Sequence, residues 1–312
     1  MTWVAVVLAV AGACCYAFGA RHQNTAVRGN GAMTLRGLTR LVRDRGWLIG
    51  LLLLAGGTAL HVTAVALAPL TVVQPIGALA LALTAILHAR AQGIRLNRAS
   101  VAAIVACIGG VATFVALAAG AVHPDPVTTA EAVRVLALMG AAGVVLALVV
   151  TTTRAGRARA LAHIVAAGVA FGFVATLTRV LTQRVREGGL DDPFLLVPAL
   201  AIVTALLAGG WCLQQAHADG PPDLVVAGLT VIDPLVAVAI GITVLGEAPY
   251  LAPATLAALA GAAVIAAGGV AVLARHHPDA TGPAAPAIPD REPVAHARHG
   301  WDTETFELRS LL

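Results

Sequence analysis

Leu229 to Glu247 reads LTVIDPLVAVAIGITVLGE, an apolar run long enough to cross a bilayer that carries the pair Asp233-Pro234 in its interior. A charge and a helix breaker side by side at such depth are costly in hydrocarbon and face a cavity or a partner. The pattern recurs upstream, at Leu70 to His88, as LTVVQPIGALALALTAILH. Superposing Pro75 on Pro234 aligns Leu70 with Leu229, Thr71 with Thr230, Val72 with Val231 and Gln74 with Asp233. Ala78, Ala80 and Thr84 then fall on Ala237, Ala239 and Thr243, and His88 on Glu247. Two copies about 160 residues apart point to an internally duplicated membrane protein, since weak internal repeats mark transporters.

Composition agrees. Hydrophobic residues make up 59% of the chain and charged ones 12%, about half the charge of a soluble domain. The fold class is all-α: a polytopic membrane helical bundle. Every basic side chain other than histidine is arginine, and the net charge is only +4. Scarce aromatics and the lack of a basic stripe argue against nucleic acid. Cys14, Cys15, Cys107 and Cys212 lie in apolar spans without metal-site spacing, as small buried hydrophobes.

Spans of about 20 apolar residues can be counted along the chain. They run from Trp3 to Ala20, Trp47 to Leu67, Leu70 to His88, and about Val101 to Val122 and Val133 to Thr152. Four more follow, about Ala160 to Leu181, Phe194 to Ala216, Leu224 to Gly246 and Ala252 to Ala274. Arginine-rich short loops, led by Arg21 to Arg45, then fall on the cytoplasmic side, with the N-terminus outside and the C-terminus inside. Arg184 and Arg186, beside Glu187, Asp191 and Asp192, are the exception. The two motif spans are five crossings apart, so they run in opposite directions and the repeat is inverted, 4+1+4. The expected organisation is a transporter domain over 1–274, with halves about 1–122 and 160–274 and a linking helix about 133–152. A polar, Pro/Ala-rich cytoplasmic tail over 275–312 is expected to be disordered.

These motif residues resemble the drug/metabolite transporter superfamily, covering the EamA-like permeases and the NIPA-like magnesium-transporter branch. Ala66 to Leu79, reading ALAPLTVVQPIGAL, is similar to the NIPA-like pattern. Leu213-Gln214-Gln215-Ala216, Thr230 to Leu235 and Leu245-Gly246-Glu247 resemble the second repeat of EamA-like permeases, whose Pro-containing helix ends in Gly-Glu. The resemblance implies a multi-pass transporter of the cell membrane. Nine helices rather than ten bring it closer to the NIPA-like branch, and the Gly-Glu of the second motif is replaced by Leu87-His88 in the first.

Asp233 is the sharpest candidate, about 14 Å into its span at the helical rise. It can carry a proton, bind a cation or hold an amine. Equally, Asp before Pro is the N-cap arrangement of a helix start, so Asp233 can simply cap the second half of a helix broken at Pro234. Both readings stay open, as they do for its neutral counterpart Gln74 before the parallel break at Pro75, and Asp233 with Gln74 is expected to line a central site. His61 is deep enough to pair with Asp233 or relay protons. Gln214 and Gln215 are candidates for a polar pathway, Glu247 for a repeat-end contact at the outer interface, and His88 for the opposite interface. Arg179 reads as a snorkelling side chain. The small residues Gly261 through Gly269 read as a close-packing face.

Function is therefore expected to be secondary transport of a small solute or metabolite by alternating access. A Mg²⁺ or other divalent-cation carrier is the alternative, although one deep carboxylate is thin provision for Mg²⁺. A non-transporting membrane scaffold is the reading from another class. No Walker loop, nucleophile elbow or His-Glu-x-x-His occurs, so no enzyme activity and no cofactor are expected. No metal-ligand set is readable. The partners are the lipid bilayer and a small-molecule or ion substrate, with a homodimer as the admitted assembly.

Overall fold

The computed structural model describes residues 2–29, 39–67, 70–93, 95–121, 127–154, 156–189, 192–248 and 251–276. Side chains of residues 70–78 lie outside that description, and with them those of Gln74 and Pro75; so does the expected tail from residue 277 onward.

Residues 39–41 are helical, and nine longer α-helices form among the described residues. They are α1 (Thr2–Gly29), α2 (Arg45–Leu67), α3 (Leu70–Gln92), α4 (Arg98–Ala121) and α5 (Thr129–Thr152). Then come α6 (Arg157–Gly188), α7 (Leu196–Asp219), α8 (Pro222–Thr243) and α9 (Pro253–His276). Seven of the described helices are long and apolar enough to cross a membrane. Large apolar side chains such as Val144, Leu148, Leu200, Leu207 and Val264 stay exposed, as expected of a bundle whose solvent is lipid.

Two helices outrun the spans read from hydropathy. α1 continues from Ala20 to Gly29 and α6 from Leu181 to Gly188, so Arg21, Arg28, Arg184 and Arg186 stand on helical turns rather than in loops. Polarity ends a membrane span, but it does not end a helix whose extra turns find partners.

Packing repeats between the first four helices and the last four. α1 packs on α2 and α3, and α3 on α4; correspondingly α6 packs on α7 and α8, and α8 on α9. Across the halves α3 meets α8 and α4 meets α9, while α5 lies mainly against α6. Glycines set the directions. A Cβ on Gly12 would meet the Gly57 carbonyl oxygen at 3.1 Å, and one on Gly19 the Gly50 oxygen at 3.0 Å, so α1 and α2 run antiparallel. Gly168 and Gly172 of α6 sit 2.7 Å from the Cβ atoms of Ile232 and Val236 by the same construction, so α6 and α8 run parallel. Asn24 of α1 reaches Gly220 just before α8 begins, whereas Tyr16 faces Asp233 farther along, so α1 runs antiparallel to α8. α1 and α6 therefore point in opposite directions, as an inverted repeat requires.

The largest core cluster joins α3, α4, α8 and α9 through Leu81, Cys107, Val111, Phe114, Leu224, Val231, Ala266 and Leu273. A second, with Val135, Phe173, Leu177, Val180 and Ile240, fixes α5 and α6 to the end of α8. α8 touches six other described helices and is the central element.

Candidate functional site

α8 does not break at Pro234. The helix is continuous from Pro222 to Thr243 with the proline inside it, so Asp233 stands in a helix interior and caps nothing. Proline removes one N–H and leaves the carbonyl four residues back without its intrahelical donor, yet surrounding helices hold the turn in place. The support is visible on α6. Its Gly168-Val169-Ala170-Phe171-Gly172 places two bare Cα atoms under the Asp233-Pro234 turn, and a Cβ at Gly172 would lie 3.0 Å from the Asp233 carbonyl oxygen. This small-xxx-small spacing lets two backbones approach closely. It is the signal in the sequence that explains why the proline does not end the helix.

Asp233 is half-buried. Tyr16 of α1 lies within range of its charge and donates its hydroxyl to Thr58 Oγ1 of α2 at 3.0 Å. Among the described residues no hydrogen bond or ion pair engages the Asp233 carboxylate. His61 sits one turn beyond Thr58, half-buried, with its Nδ1 buried and without a hydrogen-bond partner among the described residues. The middle of the bundle thus brings Tyr16 and Thr58 towards Asp233, with His61 one turn farther along α2, and among the described residues no arginine pairs with the acid.

At the Asn24 end the two halves are stitched by polar side chains. Asn24 Nδ2 donates to the carbonyl oxygens of His217 at 2.9 Å and Gly220 at 3.1 Å, one in the last turn of α7 and one just after it. Gln214 Nε2 donates to Gln23 Oε1 at 3.1 Å, and Trp47 Nε1 donates to Gln214 Oε1 at 3.2 Å. Arg159 clamps Asp219 through two hydrogen bonds of 2.9 and 2.7 Å, with His163 at 3.7 Å from the same carboxylate. Gln214 therefore belongs to this end rather than to the Asp233 level, and Gln215 beside it is half-buried. His88, expected at an interface, is 5% exposed and inside the protein.

At the opposite end Glu247 closes α8. Gly246 adopts φ +64°, a left-handed conformation natural to glycine, and the Glu247 N–H donates to the Gly241 carbonyl at 3.0 Å. The Glu247 side chain folds back over Gly241, where a Cβ would lie 2.7 Å from Oε2. There it forms an ion pair with Arg179 of α6. Glu247 is 5% exposed, so this is no surface contact, and Arg179 is a partner rather than a snorkelling cation. The pair borders a cavity of about 270 Å³ between α4, α6 and α8, whose walls include Val115, Ala118, Thr176, Ala237 and Val238. Ala237 lies one helical turn from Asp233 on the same face of α8.

No group of three or more histidine, cysteine, aspartate or glutamate side chains that could hold a metal occurs among the described residues. The described residues thus offer no cage for a dehydrated metal. One open carboxylate with neighbouring hydroxyls can instead hold a cation through its water shell.

Comparison with known proteins returns one family. Residues 4–179, α1 through most of α6, match the model of the magnesium transporter NIPA. Neither the curated proteins nor the solved structures yielded a match. With more than half of its length covered by that model and its helices arranged as a multi-pass bundle, the chain is a membrane transporter and belongs to the NIPA magnesium transporter family.

Proposed function

We propose that this protein carries Mg²⁺ across the cell membrane by alternating access between its two halves, with Asp233 as the carboxylate that holds the ion near mid-path. The observation that carries this reading is the Asp233 carboxylate, set in the central helix without an ionic partner among the described residues. Mg²⁺ gives up its waters reluctantly and needs only one or two carboxylates when several waters stay bound. The neighbouring Tyr16 and Thr58 hydroxyls suit such a shell, since hydroxyl oxygens accept from bound water. A single deep acid then suffices, provided the ion travels hydrated.

In this reading the Asn24 end faces the cytoplasm and the Glu247 end faces outside, which places the N-terminus outside and residues 275–312 inside. The halves of the repeat, about 1–122 and 160–274, rock about α3 and α8, with α5 as the linker. His61 serves as a neighbour that tunes the charge of the site.

The experiment is reconstitution into vesicles loaded with a Mg²⁺-sensitive dye, with amino acids and cationic drugs as competitors and with or without a pH gradient. Dye response to external Mg²⁺, unaffected by the organic competitors, supports the reading. Competition by an organic solute, or flux of that solute alone, returns the protein to the metabolite carriers.

A further inference from the structure

α8 carries a second carboxylate in register with the first. Asp233, Ala237 and Gly241 recur at the four-residue spacing that stacks side chains on one face of a helix. Gly241 has no side chain, and the Glu247 carboxylate occupies the space where one would stand. The face therefore reads acid, small residue, acid, with Glu247 about 12 Å beyond Asp233 at the helical rise. The cavity of about 270 Å³ lies along this interval, walled by Ala237 and Val238 of α8, Thr176 of α6 and Val115 and Ala118 of α4. At its Glu247 end Arg179 covers the acid.

We propose that Glu247 is a second cation site, the entry position on the path to Asp233, and that the Arg179 guanidinium is a tethered occupant which an arriving divalent cation displaces. The inference rests on the cation-carrier reading above. The ion pair differs from an ordinary structural salt bridge in three respects. It borders an open pocket instead of lying between two packed faces. Glu247 is 5% exposed, so its charge must always be compensated, by arginine or by an ion. Arg179 keeps a side chain 31% exposed, which leaves it room to swing outward while the acid stays fixed over Gly241. Exchange of one cation for the other keeps the site neutralised at each step and admits only ions able to outcompete a guanidinium. A divalent ion has that advantage over a monovalent one.

The test uses the full-length protein in lipid nanodiscs, titrated with MgCl₂ by calorimetry, together with vesicle flux. Arg179→Gln removes the competitor and is expected to lower the half-saturating Mg²⁺ concentration severalfold. Glu247→Gln removes the site and is expected to raise it about tenfold, since charge-assisted contacts are lost. Arg179→Gln leaves a buried acid uncompensated in the absence of ion. The double variant Arg179→Gln/Glu247→Gln therefore serves as the form with no orphaned charge, and it is expected to behave as Glu247→Gln does. A purely structural pair would move both single variants in the same direction and leave the double variant near wild type; either result overturns the inference. If flux persists and depends on Asp233 while no variant changes Mg²⁺ affinity, the entry site fails and the carrier reading stands. If the wild type neither binds nor moves Mg²⁺, both fail.

Discussion

Gly110 of α4 and Gly269 of α9 each press a bare Cα against the other helix. A Cβ at Gly110 would lie 2.7 Å from the Ala266 amide nitrogen and 2.9 Å from the Ala262 oxygen. One at Gly269 would lie 2.7 Å from both the Ala103 oxygen and the Cys107 sulfur. The spacing between these glycines equals that between Pro75 and Pro234, and both occur within the tetrad Gly-Gly-Val-Ala. Cys107 donates its thiol to the Ala266 carbonyl at 3.6 Å across the same contact. The repeat thus continues from the motif helices into the pair beside them, and it is reciprocal in space as well as in sequence.

Alanine at Gly110 or Gly269 is therefore expected to push the two backbones apart, at a cost of about 1–3 kcal/mol from overpacking. Their neighbours Gly109 and Gly268 meet no described atom within 4 Å, so alanine there is expected to be neutral or slightly stabilising. Thermal unfolding of the four variants in one detergent checks this. Equal losses at all four positions would contradict the packing.

Asn24 ties α1 to the end of α7 through two carbonyls, and Asn24→Ala removes both bonds. At about 1 kcal/mol for each net hydrogen bond, the population in which this end is closed is expected to fall severalfold. Hydrogen exchange read by mass spectrometry should quicken across residues 214–224 and stay unchanged at residues 240–248. Unchanged exchange at 214–224 would mean that Asn24 does not hold the two halves together.

Arg184 explains the arginine that breaks the loop-charge pattern. It donates to Asp192 at 3.2 Å and to Thr129 Oγ1 at 2.7 Å, and it lies 4.5 Å from the Phe194 ring centre. The Phe194 N–H, and then Arg184, hold the Asp192 carboxyl below its usual range. A depressed folded pKa means that the stabilisation is complete above the unfolded value and is lost as pH falls through the folded one. Protection of the 192–195 turn, corrected for intrinsic exchange, is expected to be constant from about pH 7 to about pH 5 and to fall only below about pH 4. Loss already near pH 6 would assign the turn to another group.

The class, the motif helices and the inversion were legible because apolar length and a Pro-centred repeat record them directly. Helix ends were not, since hydropathy reports where lipid stops and α1 and α6 continue into polar surroundings. The break expected at Pro234 failed because its outcome depends on a neighbour. Gly168 and Gly172 on α6 supply the close support, and their spacing is visible only to a reader who already knows that α6 lies under α8. Arg179 and Glu247, far apart in the chain, carried no sign of pairing. Asp233 stood out as a candidate because a lone acid at that depth has few structural explanations, and the interior placement removes the helix cap from among them.

The most direct test is Mg²⁺ flux through vesicles holding equal amounts of wild-type protein and of Asp233→Asn, with Asp233→Glu alongside. Asparagine keeps the shape and removes the charge, so flux is expected to fall at least about tenfold, with partial recovery in the glutamate variant. Wild-type flux in the Asp233→Asn vesicles would contradict the assignment of Asp233 as the carboxylate that holds the ion.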